Sequence, residues 1–304
     1  LSDDLARPGA TGKVTKPVGI SPGKGKYSEL PLRVASAAVL GLFALYCTWM
    51  GGLTFQLLVL TASALIFYEF TSMVRKALPL RVTVFAAGFL AILFGSYLVG
   101  RPMSGLAVMA IGALVLAAWE WFVGRTLWGA IALVYAGLPF AALVGLRDGE
   151  QGIFNIAFVL ACVWGADTFA YFAGKTLGGP KLAPAISPNK TWSGFFGGLI
   201  GAVALSAVVA LVAGYTISAK VTALAILLAL LSQGGDLFES WVKRKFGLKD
   251  SGWIIPGHGG LLDRIDGLIF AGVAVWLIAV LLSPLGFADS ELSQILNQTF
   301  FTRY

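Results

Sequence analysis

Carboxylates and cations crowd into one short stretch of this chain. Asp236 and Glu239 stand three residues apart just after Gly234 and Gly235, and Lys243, Arg244 and Lys245 follow one turn on. Lys249 and Asp250 precede the turn Pro256-Gly257-His258-Gly259-Gly260, which leads into Asp263, Arg264 and Asp266. Two acids at i, i+3 share one helical face and can hold a cation between them, or be neutralised by Lys243 and Arg244. The mixture is an apparatus for a polyphosphate: Mg²⁺ is held by a few carboxylates plus substrate phosphate oxygens, and Lys and Arg neutralise the remainder. Gly257, Gly259 and Gly260 permit positive φ and close backbone approach, so their amides could cradle phosphate as a nest. Asp263 and Asp266 flank Arg264 at the start of an apolar run, where capping of a helix N-terminus is the alternative role. His258, the only histidine, could be a general base or a turn residue donating to phosphate or carboxylate. The chemistry demands no base, so it is assigned to substrate binding. Lys243, Arg244 and Lys245 could also attract anionic lipid headgroups, at about 1 kcal/mol each, and for Lys245 that reading is preferred.

Other acids lie inside apolar runs, where a lipid-facing carboxylate costs about 2.5 to 3.5 kcal/mol. Asp167 is mid-run in Trp164-Gly165-Ala166-Asp167-Thr168-Phe169-Ala170-Tyr171, with Tyr171 at i+4 on the same face. That pairing predicts a polar cavity between helices. Glu69 and Glu120 lie close to Arg75, Lys76 and Arg125, and interfacial ion pairs are the expectation for them.

The elements that must position these residues follow from composition. Of 304 residues, 58% are apolar and only 12% charged, against roughly 25% charged in a soluble domain. An ordinary globular protein is excluded, and an all-α polytopic membrane protein follows. Spans of about 20 residues are expected near 32–50, 53–73, 80–99, 104–122, 127–146, 152–174, 193–214, 218–239 and 265–284. With the N-terminus cytoplasmic, only Arg101, Arg147, Lys220 and Arg303 of the 22 Lys and Arg residues fall outside. The net charge of +7 is therefore a matter of topology, and nucleic-acid binding is not expected. Residues 1–29, rich in Gly, Pro, Ser and Lys, lack the apolar core of a signal peptide and read as a flexible cytoplasmic arm. Residues 30–304 read as a single transmembrane domain. Cys47 and Cys162 lie inside apolar runs and support neither a disulfide framework nor a zinc site. Trp119, Trp121, Trp128 and Trp276 lie near span ends, as an interfacial aromatic belt would. The two longest inside connections, Lys175 to Trp192 and Ser240 to Arg264, hold most of the unusual chemistry, which predicts function at the cytoplasmic face.

The pattern Ser240, Lys243-Arg244, Lys249-Asp250, Gly252, Pro256-Gly257-His258-Gly259-Gly260, Asp263-Arg264, Asp266 resembles the signature of the phosphatidate cytidylyltransferases, the CDP-diacylglycerol synthases. Ser187-Pro188-Asn189-Lys190-Thr191 resembles that family's Ser-Pro-x-Lys-Thr element, and Asp167 to Lys175 its Asp-Thr/Ser-x-Ala-Tyr-x-x-Gly-Lys element. Ser193 departs from the Glu or Gln more usual at its place. The resemblance covers roughly residues 160–284, the expected catalytic half, while the earlier spans match only in character.

The resemblance implies the reaction CTP + phosphatidate → CDP-diacylglycerol + pyrophosphate, with Mg²⁺ required and room for a monovalent cation such as K⁺. It implies that Asp236 and Asp263 bind the metal with Asp266 or Glu239 in support, and that Lys190, Lys249 and Arg264 neutralise phosphates. Substrate contacts are then expected from Asp167, Tyr171, Lys175, Ser187, Thr191, Ser240, Lys243, Arg244, Asp250, Gly257, His258, Gly259 and Gly260. The partners implied are CTP, phosphatidate and membrane lipids, and the resemblance is compatible with a homodimer. The setting implied is a bacterial inner membrane, with the site facing the cytoplasm. Two rivals share some of these features. A cation-coupled transporter predicts charges spread across the bilayer and related halves, and a CTP-dependent lipid kinase would use similar metal and phosphate contacts.

Overall fold

The computed structural model describes residues 30–148, 151–254, 259–282 and 298–301. The expected arm at 1–29 and the Gly257-His258 turn lie outside the described residues. The elements are α1 (Leu30–Met50), α2 (Gly52–Met73), α3 (Leu80–Leu98), α4 (Pro102–Gly124), α5 (Trp128–Arg147), α6 (Gly152–Thr176), β1 (Lys181–Ala183), β2 (Ser187–Thr191), α7 (Trp192–Val212), α8 (Ala219–Lys245) and α9 (Leu262–Leu282). Eight of these helices, α2 to α9, are long and apolar enough to cross a membrane, and α1 contributes a shorter apolar stretch, Ala38–Met50. The chain is an all-α polytopic membrane protein. Its two strands among the described residues form the β1–β2 hairpin, paired antiparallel with Lys181 opposite Thr191 and Ala183 opposite Ser187.

Helix α5 is the most buried of the spans. Its small residues Ala132, Ala136, Ala141 and Ala142 are fully covered, because α2, α3, α4 and α9 all pack on it. The most extensive helix pair is α6 with α7, and the sequence explains why. Gly194 and Gly198, and Gly197 and Gly201, repeat at four-residue spacing, the small-xxx-small pattern that lets helix backbones approach within a bilayer. A Cβ on Gly198 would sit 3.0 Å from the Ala166 carbonyl oxygen, so the two helices touch through backbone.

Helix ends follow local rules. Thr191 caps α7, its Oγ1 accepting from Gly194 N at 3.1 Å, and Ser218 caps α8 through Val221 N at 3.3 Å. Arg147 reaches back to α1, donating to the carbonyls of Thr48 (2.5 Å) and Trp49 (2.9 Å). Its guanidinium lies over Gly51, where φ is +66° and a Cβ would come within 2.7 Å of it.

Three expectations change. Helix α8 continues to Lys245 rather than ending near 239, because the Glu239–Lys243 pair at i, i+4 and three basic residues at its C-terminal end favour further turns. Helix α9 starts at Leu262, so the long second connection shrinks to 246–261. Trp128 and Trp276 are buried and are not belt residues: Trp128 packs on Phe70 (6.2 Å) and Phe246 (5.1 Å).

Phe301 packs edge-to-face against Phe154 (4.8 Å) and Phe158 (5.0 Å) near the start of α6. At 1.5 Å per residue, that is roughly 30 Å along α6 from Lys175. The C-terminal aromatic and the charged cluster thus occupy opposite ends of the bundle.

Candidate active site

A cavity of about 750 Å³ opens where the C-terminal half of α6, the hairpin, the C-terminal third of α8 and the first turns of α9 meet. Asp167, Tyr171 and Lys175 line it from α6, and Ser187, Asn189, Lys190 and Thr191 from the hairpin. Gln233, Asp236, Glu239 and Lys243 come from α8, and Asp263, Arg264 and Asp266 from α9. Helical periodicity explains the convergence, since i, i+3 and i, i+4 spacings put each set on one face. Four elements, α6, the hairpin, α8 and α9, thus supply polar side chains to one space.

The lining carries five carboxylates and four cations, and most are paired. Lys190 Nζ lies 2.6 Å from Asp236 Oδ2, with the Gln233 carbonyl at 3.5 Å. Ser240 Oγ donates to the other oxygen of Asp236 at 3.3 Å. Lys243 Nζ bridges Glu239 Oε2 and Asp263 Oδ1, both at 2.7 Å. Asp263 also accepts from the backbone of Ser251 (3.1 Å) and Gly260 (3.2 Å). Asp266 accepts from its neighbour Gly267 N at 2.8 Å. Lys175 Nζ sits 3.2 Å from the Tyr171 hydroxyl.

The remaining sequence-predicted residues are distributed as follows. Arg244 donates to the carbonyls of Ile186 (3.4 Å) and Leu248 (2.9 Å), tying the hairpin to the segment after α8. Lys249 and Asp250 are exposed and outside the cavity lining. Gly259 has φ +87°, as a turn glycine should. The amide of Gly260 is engaged by Asp263, so it faces a carboxylate rather than an open phosphate nest. Gly257 and His258 lie outside the described residues. Thr191 lines the cavity but its hydroxyl is the α7 cap, and Ser193 Oγ donates to the Gly178 carbonyl and meets Thr191 Oγ1 at 3.0 Å.

Two corrections concern buried charge. Lys243 is 9% exposed and cannot be a headgroup attractor. Glu69 and Glu120 are not ion-paired with Arg75, Lys76 or Arg125, which stay exposed. Glu120 accepts from Gly129 N at 2.9 Å and Ala130 N at 3.0 Å, at the start of α5. Glu69 accepts from Leu261 N at 3.0 Å and Leu262 N at 2.7 Å, at the start of α9. Unsatisfied amides at a helix N-terminus are the natural partner for a buried carboxylate, and no sequence-local pattern links residue 69 to residue 262. Asn189 and Gln233 were also missed. The signal for Gln233 was available: it precedes Asp236 by three residues on the same face.

An all-oxygen donor set of this kind suits Mg²⁺, which usually takes one or two protein carboxylates and fills its octahedron with phosphate oxygens and water. No three Asp, Glu, His or Cys side chains among the described residues cluster closely enough to share one ion, which one- or two-carboxylate binding does not need. Glu239 is 2% exposed, and its Oε1 has no hydrogen-bond partner among the described residues. A buried carboxylate oxygen of a cavity-lining residue that has no protein partner fits a divalent cation by its chemistry.

The profile of the cytidylyltransferase family matches residues 31–282. This chain belongs to the cytidylyltransferase family. It is 40% identical over 277 residues to a phosphatidate cytidylyltransferase of Brucella abortus, covering 90% of this chain and 99% of the relative. A Brucella suis protein of the same name is 41% identical over 256 residues, 84% of this chain and 94% of the relative. One from Rickettsia prowazekii is 42% identical over 159 residues, half of this chain and 70% of the relative. Likeness within the family therefore runs back to residue 31, well beyond the motif-bearing stretch of 160–284. The cytidylyltransferase family match thus includes the α2 helix that carries Glu69.

Proposed function

We infer that this chain transfers the cytidylyl group of CTP to phosphatidate, forming CDP-diacylglycerol and pyrophosphate. What carries the reading is near-full-length identity to phosphatidate cytidylyltransferases, 40% over 277 residues, in a chain whose three motif segments line one cavity. An oxygen of the lipid's phosphate monoester attacks the α-phosphorus of CTP, and the bond from that phosphorus to the β-phosphate oxygen breaks. No protein base is needed, because the monoester's second pKa is about 6. The residues have to align two anions that repel each other and stabilise the departing pyrophosphate. Lys190 and Arg264 both line the cavity and neutralise phosphate oxygens there. Lys243 holds Glu239 and Asp263 in place, and Ser240 orients Asp236. Asp236 and Asp263 would be the carboxylates that hold Mg²⁺, with Asp266 or Glu239 adding negative charge beside them. The ion would supply charge neutralisation at the transferring phosphates, and an added monovalent cation such as K⁺ is compatible with so acid-rich a wall.

The deciding experiment gives purified protein phosphatidate, Mg²⁺ and CTP labelled on either the α- or the γ-phosphate. Only the α label should enter lipid, while the γ label leaves as pyrophosphate. Transfer of the γ label would make the protein a lipid kinase, and ion flux without transfer of either label would make it a transporter.

The same proposal places the protein in a bacterial plasma membrane with the cavity facing the cytoplasm, and expects a homodimer. Cys47 and Cys162 are buried, so single cysteines can be read against a quiet background. Lys249→Cys and Tyr304→Cys should label from opposite sides of oriented vesicles. Labelling of both from one side would overturn the nine-span topology.

A further inference from the structure

Glu69 stands apart from everything the motifs point to. It is on α2, carries no sequence-local relation to the cavity and does not line it, yet it is 1% exposed with both carboxylate oxygens engaged. Among the described residues its partners are Ser251 and Leu261 of the segment joining α8 to α9, and Leu262 at the start of α9. Oε1 accepts from Leu261 N at 3.0 Å, while Oε2 accepts from Leu262 N at 2.7 Å and from Ser251 Oγ at 3.4 Å. Asp263 accepts from the same stretch: Ser251 N at 3.1 Å and Gly260 N at 3.2 Å. The two acids therefore share the donors of Ser251 and of residues 260–262 between them. Ser251 serves both, with its amide on Asp263 and its hydroxyl on Glu69, and the adjacent amides of residues 260 and 261 point to different carboxylates.

The packing is specific as well. A Cβ on Gly252 would lie 2.7 Å from Glu69 Oε1, and one on Gly260 would lie 2.9 Å from both carboxylate oxygens. Gly252 and Gly260 thus both lie against the Glu69 carboxylate, where any larger residue would crowd it. A buried anion at a helix N-terminus gains from the helix dipole and satisfies amides that have no intrahelical partner.

We propose that Glu69 is a positioning residue for catalysis: it clamps the start of α9 and the segment before it, and so sets the pose in which Asp263 and Lys243 meet the substrate. The proposal rests on the cytidylyl-transfer reading only in using that reaction as one of its readouts. Glu120 supplies a matched comparison, since it makes the same kind of contact at the start of α5 and does not line the cavity. If Glu69 were a helix cap and nothing more, Glu69→Ala and Glu120→Ala would behave alike per folded molecule.

The test assays the wild type, Glu69→Ala, Glu69→Gln and Glu120→Ala as full-length protein in detergent, with turnover normalised to the folded, monodisperse fraction. Glu69→Ala should lower kcat roughly a hundredfold, with KM for CTP changed by less than about threefold, because small displacements of reacting groups weigh on the transition state more than on binding. Glu69→Gln keeps one acceptor oxygen but turns an NH₂ toward a backbone donor, and should recover part of that loss. Glu120→Ala should keep kcat within about twofold while melting earlier. Hydrogen exchange of residues 251–262 should quicken in Glu69→Ala while α7 stays protected. Equal kcat in the two alanine variants, or unchanged exchange at 251–262, overturns the proposal. If Glu69→Ala fails to fold, Gly252→Ala crowds the same carboxylate with Glu69 left in place, and wild-type kcat in that variant overturns it too. A wild type that transfers no cytidylyl group defeats the functional reading instead, and the exchange measurement still decides the clamp.

Discussion

Asp236→Asn should lower kcat for cytidylyl transfer by about a hundredfold to a thousandfold while the protein stays folded, and Asp263→Asn should do the same. The range is what loss of one transition-state electrostatic contact produces. Asp236 is the cleaner case, because its side chain is 40% exposed and its partner Lys190 is 20% exposed, so removing its charge leaves little buried without compensation. An amide of the same shape still accepts from Ser240 but is a poorer ligand for Mg²⁺ and a weaker partner for Lys190. Asp263→Asn also loses a 2.7 Å pair with Lys243 and sets an NH₂ against one of the two amides that Asp263 receives. Some instability is therefore expected alongside the lost turnover. Steady-state kinetics over a range of CTP concentrations make the check, with the fall expected in kcat and kcat/KM together. A variant that keeps more than about a tenth of wild-type kcat, a barrier change under roughly 1.4 kcal/mol, would end the direct role of its carboxylate.

Lys243→Met should be the most damaging single change to stability in the site. The lysine is 9% exposed, lies between Glu239 and Asp263 at 2.7 Å from each, and Glu239 is itself 2% exposed. Methionine fills much of the same volume but leaves two carboxylates facing one another without a counter-charge. Breaking a buried pair in this way costs about 3 to 5 kcal/mol. In a chain of this size the thermal midpoint should fall by roughly 10 °C. Lys245→Met is the contrast, two residues on. Lys245 is exposed over the rings of Trp128 (5.3 Å) and Trp241 (5.1 Å), and its loss should cost no more than about 1 kcal/mol. Adding Glu239→Gln to Lys243→Met removes one of the stranded charges and should restore part of the midpoint. Equal melting of Lys243→Met and Lys245→Met would show that the buried bridge contributes nothing to the folded state.

Both predictions depend on residues already legible as chemistry in the sequence. Asp167, Lys190, Asp236, Asp263, Arg264 and Asp266 stand out because charge is scarce in an apolar chain, and their spacing assigns each to a helical face or a connection. All six line one cavity. The partition among them was not legible. Lys243 reads as one of three basic residues at a helix end, equally suited to headgroups, and only its burial between two acids separates it from Arg244 and Lys245. Lys249 and Asp250 look as qualified as their neighbours in the motif, yet they stand exposed outside the lining. The hairpin was likewise invisible, because Lys181–Ala183 and Ser187–Thr191 lack the alternation of apolar and polar residues that marks a half-buried strand.

Composition and hydropathy determine the class, the approximate placement of the apolar helices and the end of the bundle at which charge gathers, because each is a local property: a span needs only its own length and polarity to partition into lipid. Which acid meets which donor is a non-local matter. Glu69 and Leu262 are bonded across 193 residues of chain, and Lys190 and Asp236 across a whole helix and its turn. A carboxylate in a bilayer must find partners within hydrogen-bond reach, and several cations and helix ends compete for it. Only the packing of α2 and α5 against α9, and of the hairpin against α8, decides that competition, since it fixes which of those donors lie within 3 Å.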